Sequence, residues 1–199
     1  MDYDIILASA SPRRQELLKG LDLPFRVEIK KGVKETYPST LQGGEIPLYL
    51  SQLKASAYLD SLRQDSILIT ADTIVWLDNQ VLGKPKDLEQ AKQMLSRLSG
   101  RTHQVFTGVS ITRLNPESKQ DVLQDSFFAE SSVTFNRLTD QQINYYVEHY
   151  CPLDKAGAYG VQEWIGYVAV NRIEGSFYNI MGLPVALLYQ HLQPLLNGQ

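Results

Sequence analysis

The segment Ser9-Ala10-Ser11-Pro12-Arg13-Arg14 puts two hydroxyls, two guanidinium groups and a helix start directly behind an apolar run, Ile5-Ile6-Leu7-Ala8. The start of a helix carries N–H groups without intrahelical partners and the positive end of the helix dipole, so it draws anions. Arginine adds forked donors that match phosphate oxygens. Basic side chains in a first turn oppose the dipole until an anion arrives, a local conflict of the kind that marks working sites. Taken alone, the same residues are also explained by a solvated Arg pair behind an ordinary Ser-Pro helix start.

Asp72 stands in the middle of Ile69-Thr70-Ala71-Asp72-Thr73-Ile74-Val75, an otherwise β-rich run. A carboxylate there must find a partner, because an unpaired buried charge is very costly. Metal binding, general-base chemistry and a structural hydrogen bond all remain open for it. Glu35, in Gly32-Val33-Lys34-Glu35, reads alone as a surface acid, although carboxylate and phosphate oxygens together are what Mg2+ prefers. Lys54 is the charged member of a stripe with Leu50, Leu53 and Ala57, and either snorkels to water or points its ammonium at a ligand. Lys84 is fixed between Gly83 and Pro85, as a hairpin end or as an aimed ammonium. Asp154-Lys155 offers an ion pair before the small residues Ala156-Gly157-Ala158, with Gly160 and Gln162 beyond, and Gly175 to Pro184 forms a second small, polar loop. Three histidines without ligand spacing argue against a His-based zinc site, and the single Cys151 reads as structural. No Walker loop or dinucleotide fingerprint occurs, so phosphate binding falls to Arg and Lys side chains and one helix start.

These residues need elements to hold them. The apolar run at 5–8 reads as a strand buried on both faces, and Ser11 caps a helix that begins at Pro12 and stops at Gly20. The stretch from Lys34 to Glu45 is loop-like. A helix starts near Pro47 and carries Lys54. Ile67 to Leu77 is a strand, returned by Asp78-Asn79 into Gln80-Val81-Leu82. Asp87 with Gln90 starts a helix that carries Ala91, Met94, Leu95 and Leu98 and ends at Gly100. Strands are expected at Thr102–Thr112, Phe127–Asn136 and Gly166–Ile173. Between the last two, a capping box of Thr139 and Gln142, with Leu138 and Ile143 as staple, opens a helix to about His149. A final helix begins near Pro184. Alternating strands and helices give a mixed α/β (α+β) fold.

The 199 residues suit one domain, 1–199, and 43% hydrophobic with 21% charged residues supply an ordinary globular core. A net charge of -3 argues against a sequence-blind grip on nucleic acid, which needs many phosphates neutralised. Acids in the opening Met1-Asp2-Tyr3-Asp4 do not suit a signal peptide, and no apolar run approaches membrane-spanning length, so a cytoplasmic protein without membrane contact is expected.

Seven ordered motifs together resemble the Maf family of nucleoside triphosphate pyrophosphatases. They are Leu7 to Leu18, Lys54-Ala55, Ala71-Asp72-Thr73, Gly83-Lys84-Pro85, Ser99 to Val109, Asp154 to Gly160, and Gly175-Ser176-Phe177 through Gly182-Leu183-Pro184. The resemblance implies an elongated mixed sheet, two α/β lobes flanking a deep cleft, a divalent cation (Mg2+ or Mn2+) and commonly a homodimer. It also implies hydrolysis of a nucleoside triphosphate to the monophosphate and pyrophosphate, a clean-up of nucleotide pools. On this reading Asp72 is the general base and, with Glu35, seats the metal, while Ser9, Arg14, Lys54 and Lys84 hold the phosphates. Lys34 departs from the family, which often has a second acid there. The branch acting on 7-methyl-GTP typically has Trp, Gln and Glu where this chain has Arg13, Thr73 and Gln162, so these three resemble the dTTP and UTP branch. The alternative function is a nucleotide-binding regulator of cell division or septum formation that senses without hydrolysing.

Overall fold

The computed structural model describes residues 3–118 and 121–197; Met1 and Asp2 of the acidic N-terminal segment lie outside them. Strand β1 (Asp4–Leu7) buries Ile5, Ile6 and Leu7 because it has a parallel neighbour on each side. These are β2 (Phe25–Val27), paired Ile5↔Phe25, and β3 (Ser66–Leu77), paired Asp4↔Ser66. Between β1 and β2 lies helix α1 (Pro12–Lys19), begun by Pro12 and ended at Gly20, whose N–H reaches the Glu16 carbonyl at 3.1 Å. Ser11 does not cap this helix through its side chain as expected. Its own N–H donates to Ser9 Oγ at 3.2 Å, so the Ser9 hydroxyl organises the turn instead.

Helix α2 (Glu45–Ser56) starts two residues before Pro47, and the Glu45 carboxylate reaches back to accept from Gln42 N–H at 2.9 Å. Strand β5 (Thr102–Leu114) meets the first turn of α2 at Gly108, where a Cβ would sit 2.3 Å from the Pro47 carbonyl carbon. Only glycine lets α2 lie that close. After β3 the chain turns through Asp78 and Asn79, both left-handed (φ 52 and 58), as a two-residue hairpin requires, into β4 (Gln80–Leu82). Helix α3 (Leu88–Leu98) is capped by Asp87, which accepts from Gln90 N–H at 2.7 Å, and buries the four apolar residues expected from its spacing.

Strand β6 (Val122–Phe135) begins five residues before the expected start, because residues 122–125 are all exposed and show no inward face in the hydropathy. Helix α4 (Asp140–Tyr150) has the full Thr139–Gln142 capping box, and Leu138 and Ile143 share one core. The expected strand Gly166–Ile173 is helical in its first half: α5 (Trp164–Ala169) precedes β7 (Val170–Gly175). Ile165 and Ala169, four apart, are both fully buried, and this packing overrides the β preference of Tyr167 and Val168. Two helices follow, α6 (Phe177–Met181), in the segment expected as loop, and α7 (Val185–Leu196).

The strands form a mixed sheet in the order β2-β1-β3-β5-β6-β7, with β4 on β3, which is the mixed α/β class expected. The chain divides into two compact units. One comprises Met1–Asp72, Thr107–Ala129 and Gly182–Gln199, and the other Thr73–Phe106 and Glu130–Met181. The divisions fall inside β3, β5 and β6, so each of these strands contributes to both units. In the first, Ile6, Ala55, Tyr58 and Leu68 form a core under α2. The second has a larger core from β3, α3, α4 and α5, including Val75, Leu95, Val133, Tyr146 and Ile165.

Candidate active site

In the first unit, Asp72 is buried at the last position β3 contributes to it. Its partner is Lys54, in the last turn of α2, whose Nζ lies 2.5 Å from Asp72 Oδ1. The same ammonium is 3.4 Å from Glu35 Oε2, in the irregular segment before α2. Lys54 therefore does not snorkel to water; it joins two carboxylates that lie 37 residues apart in sequence. Arg14 approaches from α1. Its Nη1 donates to the Ala71 carbonyl at 2.9 Å, next to Asp72, and its Nε to the Gly182 carbonyl at 2.8 Å. Ser9 stands at the turn into α1, where its carbonyl accepts from Gln15 Nε2 at 3.1 Å. Ser9, Arg14, Glu35, Lys54 and Asp72 are thus organised within one unit by β1, α1, α2 and β3, and Arg13 precedes Arg14 in the first turn of α1.

Burial pushes the Arg14 guanidinium below its ordinary value, and the charge of Arg13 adds to this, while the carboxylates of Asp72 and Glu35 act in the opposite sense. Arginine remains charged in any such setting. Three cations then face two carboxylates, which leaves the group suited to a polyanion. Two carboxylates sharing one ammonium also suit a hard divalent cation of the Mg2+ kind, which is usually held by one or two carboxylates plus substrate phosphate. Among the described residues no group of three His, Cys, Asp or Glu is placed to hold a metal ion.

Thr73, Lys84 and Gln162 belong to the second unit. Thr73 follows Asp72 on β3 and is half-buried, and Lys84 is exposed just after β4. The Gly83 carbonyl accepts from Gly157 N–H at 3.1 Å, which ties the Lys84 turn to the Asp154–Gly160 loop. The anticipated Asp154–Lys155 pair is present at 2.7 Å, but Lys155 Nζ also lies 3.1 Å from Glu163 Oε1. Glu163 Oε2 accepts a short hydrogen bond from the Tyr146 hydroxyl, whose oxygen in turn accepts from Gly160 N–H at 3.0 Å. Burial, reinforced by the Glu163 carboxylate, pushes the Tyr146 phenol well up, so it stays a donor. Gln162 Oε1 is buried and has no hydrogen-bond partner among the described residues.

Deeper in this unit His103 Nε2 meets the Tyr159 hydroxyl at 2.8 Å, and the rings lie edge to face. Burial pushes the His103 imidazole down to about 4. It is therefore neutral near pH 7 and ties β5 to the 154–160 loop, which is a structural role.

The description "Maf-like protein" is that of the family model that matches residues 4–195. The chain belongs to the Maf family. A dTTP/UTP pyrophosphatase of Phocaeicola vulgatus is 52% identical over 193 residues, covering 97% of this chain and 96% of the relative. One of Bacteroides thetaiotaomicron is 54% identical with the same coverage. Among solved structures, the Staphylococcus aureus Ham1 protein shares the fold, with a TM-score of 0.53 over 96% of this chain and 98% of that one, at 19% identity.

Sequence reasoning missed the Ala71 and Gly182 carbonyls as Arg14 acceptors, since backbone groups leave no residue-type signal. It also missed Glu163 and Tyr146. The available hint was an acid between Gln162 and the apolar pair Trp164-Ile165.

Proposed function

We propose that this Maf-family chain is a hydrolase that splits dTTP and UTP between the α- and β-phosphorus, releasing the monophosphate and pyrophosphate. The observation that carries this reading is the Asp72–Lys54–Glu35 arrangement: a buried carboxylate held in place by an ammonium, beside Arg14 and the α1 start. Asp72 accepts the proton of the attacking water, and Lys54 fixes the carboxylate that does so. Ser9, the N–H groups of the α1 start, Arg14, Lys54 and Lys84 bind the phosphates. Arg13, Thr73 and Gln162 favour thymine and uracil, the amide of Gln162 offering a donor and an acceptor to the O4 and N3–H edge. Glu35 and Asp72 would hold a divalent cation, Mg2+ or Mn2+, which when bound polarises phosphate oxygens as a Lewis acid.

A sensor of nucleotides in cell division or septum formation needs no paired carboxylates beside a phosphate cradle, so catalysis is the reading favoured here. The whole chain, 1–199, then works as one domain, a cytoplasmic homodimer that cleans the nucleotide pool without nucleic acid or membrane partners; the dimer follows from the family resemblance. The -3 net charge supports the absence of a nucleic-acid partner. Among the described residues, no helix is long and apolar enough to cross a membrane. The experiment is a nucleotide panel with Mg2+ or Mn2+ that separates pyrophosphate from orthophosphate. Pyrophosphate released from dTTP and UTP well ahead of ATP and 7-methyl-GTP is expected. Orthophosphate as the product, or purine nucleotides turned over as fast, overturns the reading.

A further inference from the structure

The attraction between Lys54 and Asp72 does not by itself decide where the ammonium stands. A lysine side chain is a point charge on a flexible four-carbon stem. The apolar contacts of α2, through Ile46, Leu50 and Ala55, are non-directional, so a helix held by these alone can slide along the sheet. Hydrogen bonds within the first unit fix its position. Thr70, fully buried on β3, donates its hydroxyl to the Ser51 carbonyl of α2 at 2.7 Å. Thr70 and Asp72 are two apart on a strand and share a face, while Ser51 and Lys54 are three apart on a helix and share a side. The Thr70–Ser51 bond and the Asp72–Lys54 pair are therefore two rungs between the same two elements. Ser51 is tied a second time through its own hydroxyl, which donates to the Leu48 carbonyl at 2.7 Å. Having one hydrogen, it accepts from Ser110 Oγ of β5 at 2.8 Å, and Ser110 accepts in turn from Ser126 Oγ of β6 at 2.9 Å. A satisfied buried network of this kind specifies one arrangement of its core. Valine would fill the Thr70 position with no hydroxyl to desolvate, as Ile67, Leu68 and Ile69 fill the positions before it.

We propose, on the reading of Asp72 as the general base, that Thr70 is a positioning residue: its hydroxyl sets α2 on β3 so that Lys54 meets the Asp72 carboxylate and holds it for the attacking water. Thr70 is fully buried and acts through the helix and Lys54. Without the hydroxyl, α2 settles where apolar packing alone puts it, and the carboxylate loses its fixed place. A misplacement of about 1 Å at a reacting group can cost about 100-fold in rate, so a small shift of the helix registers in kcat.

The test measures kcat and KM for pyrophosphate release from dTTP, together with thermal unfolding, in the parent, Thr70→Val, Thr70→Ser and Lys54→Met proteins. Thr70→Val keeps the volume and removes the hydroxyl, whereas Thr70→Ser keeps the hydroxyl and removes a methyl group. In Thr70→Val, kcat is expected to fall at least about tenfold while KM changes by less than about threefold. Thr70→Ser should keep kcat within about threefold of the parent, although the lost methyl group lowers its Tm. A merely structural hydroxyl would change Tm and leave the kcat of the folded protein alone. If Thr70→Val fails to fold, Thr70→Ala, which also lacks the hydroxyl, takes its place with the same expectation. A parent-like kcat in the folded variant without the hydroxyl, or an equal loss in Thr70→Ser, overturns the proposal, as does a KM that rises as much as kcat falls. If Lys54→Met itself keeps the parent rate, the reading of the site fails and the proposal with it; if Lys54→Met loses activity and Thr70→Val does not, the proposal alone is overturned.

Discussion

Replacing Lys54 by Met keeps the length and apolar contacts of the side chain but removes the charge that joins Asp72 to Glu35. At 2.5 Å the Lys54–Asp72 attraction is about 7 kcal/mol for an effective dielectric of about 20, most of which only offsets desolvation. Breaking a fully buried pair costs about 3–5 kcal/mol and breaking an exposed one about 0–1 kcal/mol. The side chains here are 16% and 12% exposed, nearer the buried limit. A loss of about 2–3 kcal/mol follows, or about 5–10 °C in Tm for a chain of this size. The assay is thermal and urea unfolding of the parent, Lys54→Met, Asp72→Asn and the double variant at neutral pH. In the Asp72→Asn background the lysine substitution should cost under about 1 kcal/mol, because the charge it leaves stranded is gone. Lys84→Met, at an exposed position, should stay within about 0.5 kcal/mol of the parent. A Lys54→Met protein within about 1 °C of the parent, or an equal loss in both backgrounds, would refute the reasoning.

Asp72→Asn is expected to lose about 100- to 10,000-fold in turnover of dTTP, measured as pyrophosphate release; a rate within about tenfold of the parent contradicts the general-base assignment. Arg14→Lys cannot reach both the Ala71 and Gly182 carbonyls with one ammonium, and stranding a buried carbonyl should cost about 1–3 kcal/mol in urea unfolding, whereas no change would show that the two bonds contribute nothing. His103 has a native pKa depressed from 6.5 to about 4, so the stability it contributes is complete above its unfolded value and is lost as pH falls towards about 4. Between about pH 7.5 and about pH 5 its share of the loss is about 2 kcal/mol, and His103→Gln should flatten the stability profile by that amount; an unchanged slope counts against the buried neutral imidazole.

What could be read from the chain was what it encodes locally. Asp87 with Gln90, and Thr139 with Gln142, announce α3 and α4 because a cap and its partner lie within one turn. Asp78-Asn79 fixes the β3–β4 hairpin for the same reason. Strand β2 went unread because Phe25-Arg26-Val27 is short and gains its hydrogen bonds only from β1, some 20 residues earlier. The strand expected at 166–169 is a helix because burial of Ile165 and Ala169, a tertiary effect, outweighs local preference. At the site, Asp72 was legible as a charge inside an apolar strand, and its need for a partner followed from electrostatics. The identity of that partner did not, since Lys54 comes from another element. The inward bonds of Arg14 reach carbonyls 57 and 168 residues away, which no window of sequence reveals.

The central claim is that water attacks the α-phosphorus under the control of Asp72. Hydrolysis of dTTP by the parent protein in oxygen-18 water, with mass spectrometry of both products, tests this most directly. The account predicts one heavy oxygen in dTMP and none in pyrophosphate. Label in pyrophosphate, or release of labelled orthophosphate, would place the attack at another phosphorus and contradict it.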